Sequence, residues 1–598
     1  MTITAIAAAA LLVLQAGKGS IEGTVINSIT NEPIAGAQVT ATRIGTPPSQ
    51  PALVQVSGGV IGGVTGAVIA APAGTIVANS AGVPVQPVQP VQIAPARTNA
   101  SGQFSFRDLE PGTYILRASA EGYAQQEYNP RPGAVSGMSA TISLAADQAA
   151  KDTALRLTPG GTVSGRVTGS RGEPLVNIEV ALLRSTYDVD GRKTLQQRAS
   201  AQTNDRGEYR IFWVTPGRYN MSAASSNRPL PGVAFNPGGF SNKYPRTFYP
   251  GVADVASAVP VEVQPAVELS GLDFHLIEQS TYRVRGRVVV DPTSGSTPST
   301  PARPISISIM PRDSMINSPL SYSGSPYNPA DGTFELREVP SGSYLVRGQL
   351  PFNGRPEPGQ PFPVPPIATA PVDVNGADVD GVVLTFVPPT SIAGRMRIEG
   401  DSLSQNFRAG VNLRPAVLNG FGPPPRPSQP NAEGTFSIDG VVPGEYRVTA
   451  NAQFGSSQMN LYVKEIRFGS TDVLNDLMVV TGPTSDRLEV VFGQNAGKMS
   501  GTVRADSQQF VSSAQVVLVP DKRDRRDLYK FTIANPNGQF TFPSVAPGSY
   551  KVFAWENVEQ FSWFDPAFLT AYEGQGMPAT VNESSNVTLD VKVIPASK

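Results

Sequence analysis

Apolar residues along this chain recur at every second position, in short runs broken by Gly, Pro, Asn and Asp. That alternation puts one face of an extended strand into a core and the other into solvent. In Gln103-Phe104-Ser105-Phe106 the two rings share a face, and a turn closed by Pro111-Gly112 leads to a second alternating run, Tyr114, Leu116, Ala118. The pattern returns at Gly207, Tyr209, Tyr219; at Gly332, Phe334, Tyr344; at Gly434, Phe436, Tyr446; and at Gly538, Phe540, Tyr550. In every copy the two glycines are ten positions apart, and so are the two aromatics. Asn or Asp with Gly opens a tight turn, and Pro followed by Gly closes another. Each copy therefore predicts a hairpin-like pair of strands with one face buried. Copy three has Ser341 in place of the proline.

The copies follow one another at 105, 125, 102 and 104 residues. A period of one small domain means tandem modules rather than a short-period solenoid. Upstream of each pair lies an opening strand, as in Ile21-Glu22-Gly23-Thr24-Val25, and a second strand, as in Ala37-Gln38-Val39. Each copy ends on another alternating strand, as in Leu589-Asp590-Val591-Lys592-Val593. Short strands joined by turn chemistry predict an all-β chain with very little helix, a tandem array of about five β-sandwich modules of roughly seven strands each. The expected divisions are 1–16, 17–158 with a low-complexity insertion at 44–96, 159–280, 281–389, 390–496 and 497–598.

The G-x-V opening, the second strand led by Pro33 four positions before Ala37, and the G-x-F-x-F…PG-x-Y closure resemble the carboxypeptidase regulatory-like domain. The resemblance covers nearly the whole chain as five copies, best in copies one, two and five. It implies a transthyretin-like or Ig-like, carbohydrate-binding-like sandwich. It is weak for function, because its positions are turn and core positions.

Composition narrows the function. Lys+Arg 47 against Asp+Glu 48 leaves a net charge of −1, which argues against a nucleic-acid partner. One histidine and no cysteine leave too few ligands for the common zinc, haem, copper or iron–sulfur sites. No cofactor and no metal site are expected. Gly400-Asp401-Ser402-Leu403 matches a hydrolase string, but its serine needs a downstream histidine as base and the single one is His275. His275 alternates with Asp273 on an outward strand face, and no catalytic residue is assigned. Asp188-Val189-Asp190-Gly191 starts like a calcium loop but lacks the later ligands, so a hairpin tip is the better reading. Asp373, Asn375, Asp378 and Asp380 fit turn caps better than calcium ligands. Copies two to four carry no lysine in their opening strands, which argues against general Lys–Asn crosslinking.

Ile3 to Leu14 is an uncharged apolar run followed by Gln15-Ala16, the form of an export signal, although no Lys or Arg precedes it. Residues 44–96 carry no charge and hold a small-residue ladder at Gly58, Gly62 and Gly66; the proline-rich stretch from Pro84 favours a loop over a membrane segment. No stable transmembrane span is expected. Trp555, Phe561, Trp563, Phe564, Phe568 and Tyr572 cluster in copy five, where Asp565-Pro566 caps a short helix. That helix either covers the open end of the sandwich or presents rings for sugars to stack on. Phe235, Phe240, Tyr244, Phe248 and Tyr249 form a similar group in copy two. The reading is an exported, non-enzymatic binding protein of the envelope: periplasm, outer-membrane surface or extracellular. Its partner is a polysaccharide, with Trp563, Trp555 and Phe564 as ligand contacts, or an envelope or extracellular protein. The alternative is a structural spacer or protein-adhesion stalk.

Overall fold

The computed structural model describes residues 17–45, 91–128, 141–225, 243–290, 305–312, 327–350, 367–387, 389–400, 407–416, 430–431, 433–454 and 460–596. The expected export signal, most of the 44–96 insertion, Phe235, Phe240 and Ser402 lie outside them. The chain separates into two compact units: Met1–Val163 with Phe212–Gly217 and Val263–Leu269, and Ser164–Ile211 with Arg218–Glu262 and Ser270–Lys598. The fold is nearly all-β, built of many separate sheets, as the alternation predicts. Among the described residues no helix is long and apolar enough to cross a membrane.

One strand arrangement recurs in every copy. The opening strand runs antiparallel to the strand of the first motif aromatic and parallel to the closing strand. In copy one Gly19–Asn27 lies between Gln103–Leu109 and Ala149–Leu157. Thr281–Val290, Thr390–Ile398 and Gly497–Arg504 repeat this in copies three, four and five. In copy two Gly161–Thr168 neighbours Glu208–Val214 and meets its closing segment as two short parallel pieces. A second sheet pairs the second strand with the strand of the motif tyrosine: Gln38–Gly45 with Gly112–Ser119, Ile178–Tyr187 with Gly217–Ser225, Ser306–Pro311 with Gly342–Gln349, Phe407–Pro415 with Gly444–Phe454, and Gln515–Pro520 with Gly548–Trp555.

The two motif strands therefore do not form the hairpin pair expected from their spacing. In copies one to four they belong to different sheets; in copy five Ala554 and Trp555 also pair with Val593 and Ile594, so the two strands sit apart in one seven-stranded sheet. In each copy the turn between them is an arch that carries the chain across the core. A bulge prepares the crossing. Ile21 faces Phe106 but Gly19 faces Leu109, so the motif strand carries one extra residue. That residue is left-handed in every copy: Asp108 (φ 55°), Trp213 (54°), Glu338 (57°), Gly440 (78°) and Ser544 (51°). The insertion returns Leu109 to the core face that Phe104 and Phe106 already occupy.

Two further contacts explain the motif. The opening-strand glycine lies directly across from the first aromatic: Gly23 from Phe104, Gly286 from Phe334, Gly394 from Phe436 and Gly501 from Phe540. A Cβ on any of these glycines would run into that ring and into a closing-strand carbonyl. The glycine is needed because the ring lies over it. The motif tyrosines Tyr114, Tyr219, Tyr344, Tyr446 and Tyr550 are 1% to 5% exposed. Four of their hydroxyls donate to the carbonyl four residues back, across the arch: Tyr114 to Glu110 (2.5 Å), Tyr344 to Pro340 (3.0 Å), Tyr446 to Val442 (2.6 Å) and Tyr550 to Ala546 (2.7 Å). Each thus satisfies a carbonyl that the change of sheet would otherwise leave unpaired.

Candidate functional site

The aromatic group of copy five grows from a sheet buried on both faces. Val516 and Leu518 point into the sandwich core with Tyr550 and Val552. Val517, Val519, Phe553 and Trp555 point the other way, into a second apolar cluster with Val558, Trp563, Leu569 and Ile594. The covering segment is held by the cap foreseen from sequence: Asp565 accepts from Ala567 N and Pro566 begins the helix Pro566–Thr570. Trp563 stacks on Phe531 at 5.3 Å and 11°, and Trp555 on Phe553 at 5.3 Å and 12°.

Of the residues named as ligand contacts, Trp555 is 1% exposed, Trp563 is 5% exposed, and Phe564 is partly buried in the same cluster. The ring expected to be most open is Trp563, and it is closed. The helix covers the open side of the sheet, and the ring faces that a sugar would need lie against other rings. Apolar burial decides this: Trp563 gains more by closing over the sheet face than by standing in water, and Trp555, which belongs to that face, gains by being covered.

The same segment of copy five meets copy two within the second unit. The strands Ile178–Tyr187 and Lys193–Gln202 form a hairpin whose tip is the Asp188–Arg192 turn. Asp188 Oδ1 accepts from Asp190 N and Arg192 N, both at 2.8 Å, and Gly191 adopts φ 70°. The loop is a hairpin tip, as the missing calcium ligands indicated. A Cβ on Gly191 would collide with Phe564, so the tip seats closely on the cap. Tyr187 packs edge-on against Phe568 at 6.2 Å. Burial raises the Tyr187 pKa, and the nearby Asp565 raises it further. Burial also raises that of Glu559, partly offset by Arg184 and Arg198 on the hairpin. On copy four, Arg414 Nη2 reaches Asp190 Oδ2 at 2.8 Å, and Arg192 Nη2 donates to the Ala416 carbonyl at 3.2 Å.

The remaining candidates are structural in their surroundings. His275 is exposed and lies 3.3 Å from Thr168 Oγ1. Asp378 and Asp380 both pair with Arg285, which also reaches Glu335, and Asp378 accepts from Arg283 N. Asp373 pairs with Arg312 at 3.7 Å. These acids are neutralised by arginines. Phe248 of the copy-two aromatic group is 7% exposed and packs with Ala181, Leu183 and Leu195 on the outer face of its sheet. Sequence reasoning passed over Phe212 and Trp213, which are 54% and 50% exposed. Alternation alone would place Trp213 inside with Tyr209 and Ile211; the left-handed bulge at Trp213 turns its ring out and puts Val214 inside instead, which no local spacing shows.

Residues 63–155 match the family model described as the carboxypeptidase regulatory-like domain, which covers part of copy one. No curated protein matches the chain. Among solved structures, the TIE protein of Bacillus anthracis is similar at 10% identity over 72% of this chain and 73% of its own, with a TM-score of 0.14. The minor pilin GBS52 of Streptococcus agalactiae is similar at 13% identity over 48% of this chain and 100% of its own, with a TM-score of 0.20. The major pilin subunit BcpA of Bacillus cereus is similar at 10% identity over 72% and 98%, with a TM-score of 0.13. At these TM-scores the likenesses carry no functional argument.

Proposed function

We propose that this chain is an exported, non-enzymatic scaffold of the cell envelope, with five carboxypeptidase regulatory-like modules at 17–158, 159–280, 281–389, 390–496 and 497–598. Its work is to hold binding surfaces in place for a protein partner. The observation that carries this reading is the junction of copies two, four and five. The aromatic cluster of copy five is spent on contact within the protein, closed by a cap and by the copy-two hairpin. A surface used in this way builds a scaffold rather than a platform at the Trp555–Trp563 cluster. The strand arrangement shared by all five copies supports extending the family likeness beyond the matched residues. The test uses an epitope-tagged full chain in its own cells. Tag accessible outside the cytoplasmic membrane, with attachment to protein-coated surfaces reduced on deletion, is the expected result. A purely cytosolic tag, or unchanged attachment, removes the proposal.

Glycan binding is favoured as a second reading by Phe212 and Trp213, which do expose rings. Trp213 also holds a left-handed backbone that a bulky side chain rarely adopts. Retention of the full chain on insoluble polysaccharides, lost in Trp213→Gly and kept in Trp563→Phe, is the expected pattern. No retention on any polymer eliminates it.

A further inference from the structure

Beside the docked hairpin tip lies a cleft of about 310 Å³ within the second unit. Four arginines line it: Arg192 from the tip, Arg414 and Arg447 from copy four, and Arg526 from copy five. Against them stand one lining carboxylate, Asp190, and the nearby Asp188, whose charge also reaches Arg526, so the cleft keeps an excess of positive charge in a chain whose net charge is −1. Asp188, close by, is committed to its own turn.

The arrangement is costly as it stands. Arg414 and Arg447 are directly opposed across the antiparallel pair of copy four, where like charges repel. Asp190 answers Arg414 only. Arg526 is pinned with its guanidinium 4.5 Å over the Phe564 ring, and its Nη1 is buried without a hydrogen-bond partner among the described residues. A buried N–H of a charged group left without an acceptor destabilises the fold until an acceptor reaches it. Guanidinium forks converging on one small space match the planar oxygen pairs of a carboxylate or the oxygens of a phosphate.

We propose that this cleft binds a small organic anion bearing carboxylate or phosphate groups. Arg447 and Arg526 are its main contacts, and Arg414 is shared with Asp190. The volume suits a molecule the size of a single sugar acid or a tricarboxylate. The site joins three copies, so occupancy also ties the hairpin tip to copies four and five. This proposal does not depend on where the protein resides or what surface it attaches to.

The experiment is calorimetric titration of the purified full chain with citrate, D-glucuronate, inorganic phosphate and, as neutral control, glucose. Saturable binding near one site per chain is expected for at least one anion and none for glucose, and affinity should fall as salt is raised. Binding by citrate or glucuronate alone assigns a carboxylate ligand; binding by phosphate alone assigns a phosphorylated one. Arg447→Gln and Arg526→Gln should each weaken binding at least tenfold, and Arg447→Gln should melt no lower than the unaltered protein, since it removes the repulsion with Arg414. Arg467→Gln, an exposed arginine paired with Glu465 elsewhere, should bind as the unaltered protein does. No saturable binding of any anion, or affinity unchanged in both cleft variants, overturns the assignment.

Discussion

Tyr446 donates to the Val442 carbonyl, and Phe436 lies over Gly394. These contacts give the repeated residues their reasons. Tyr446→Phe keeps the ring and leaves a buried carbonyl unpaired, at a cost of about 1–2 kcal/mol. Hydrogen exchange should quicken in Thr435–Val441 and its neighbours, with other copies unaffected. Gly394→Ala should cost more, because the added Cβ would meet both the Phe436 ring and the Leu488 backbone carbonyl. Burial also sets a pH limit. The Tyr344 hydroxyl is pushed up to about 12 by desolvation, above its usual value near 10. The neutral form is favoured in the fold, so this contribution is complete below pH 10 and is lost as pH rises from 10 towards 12. The loss is roughly 2–3 kcal/mol. Thermal melts across that range should fall less steeply for Tyr344→Phe. The aromatic and glycine positions were legible as a repeat. The ring over the glycine was not, because the two residues come from strands far apart in sequence.

At the scale of elements, alternation located the strands and misjudged their pairing. Positions two, four and seven after the motif glycine look like a strand running into a hairpin turn. The left-handed bulge residue makes them one face of a strand after which the chain crosses the core instead of folding back beside it. Only Gly440 advertises that conformation; Asp108, Trp213, Glu338 and Ser544 do not. Ser544→Gly relieves the backbone strain and should stabilise copy five by up to about 1 kcal/mol, read from its unfolding midpoint. The unbroken run Val516-Val517-Leu518-Val519 did carry a signal that both faces of that sheet are buried. Trp555 Nε1 has no hydrogen-bond partner in its cluster. Trp555→Phe should therefore stay within about 1 kcal/mol of the unaltered protein, whereas Trp555→Ala should cost about 3–5 kcal/mol by leaving a cavity. The two variants melted side by side check this.

At the scale of the whole molecule, contact between copies sets the surfaces available for binding. The Asp190–Arg414 pair is partly buried, with side chains 17% and 31% exposed. A double-mutant cycle on Asp190→Ala and Arg414→Ala should give a coupling of about 1 kcal/mol, smaller at high salt. A coupling of zero at low salt would mean that the hairpin does not rest on copy four in solution. Sequence by itself determined the all-β class, the places where the glycine–aromatic motif returns, the buried tyrosines, the capped helix at Asp565-Pro566 and the hairpin tip at Asp188. Each of these follows from local pattern: alternation, turn chemistry or a cap. Tertiary structure alone decided which sheet each motif strand joins, that Trp555 and Trp563 are closed, and that arginines from three copies share one cleft. Those depend on which residues from distant parts of the chain compete for the same apolar face or the same charge, and no local spacing records that competition.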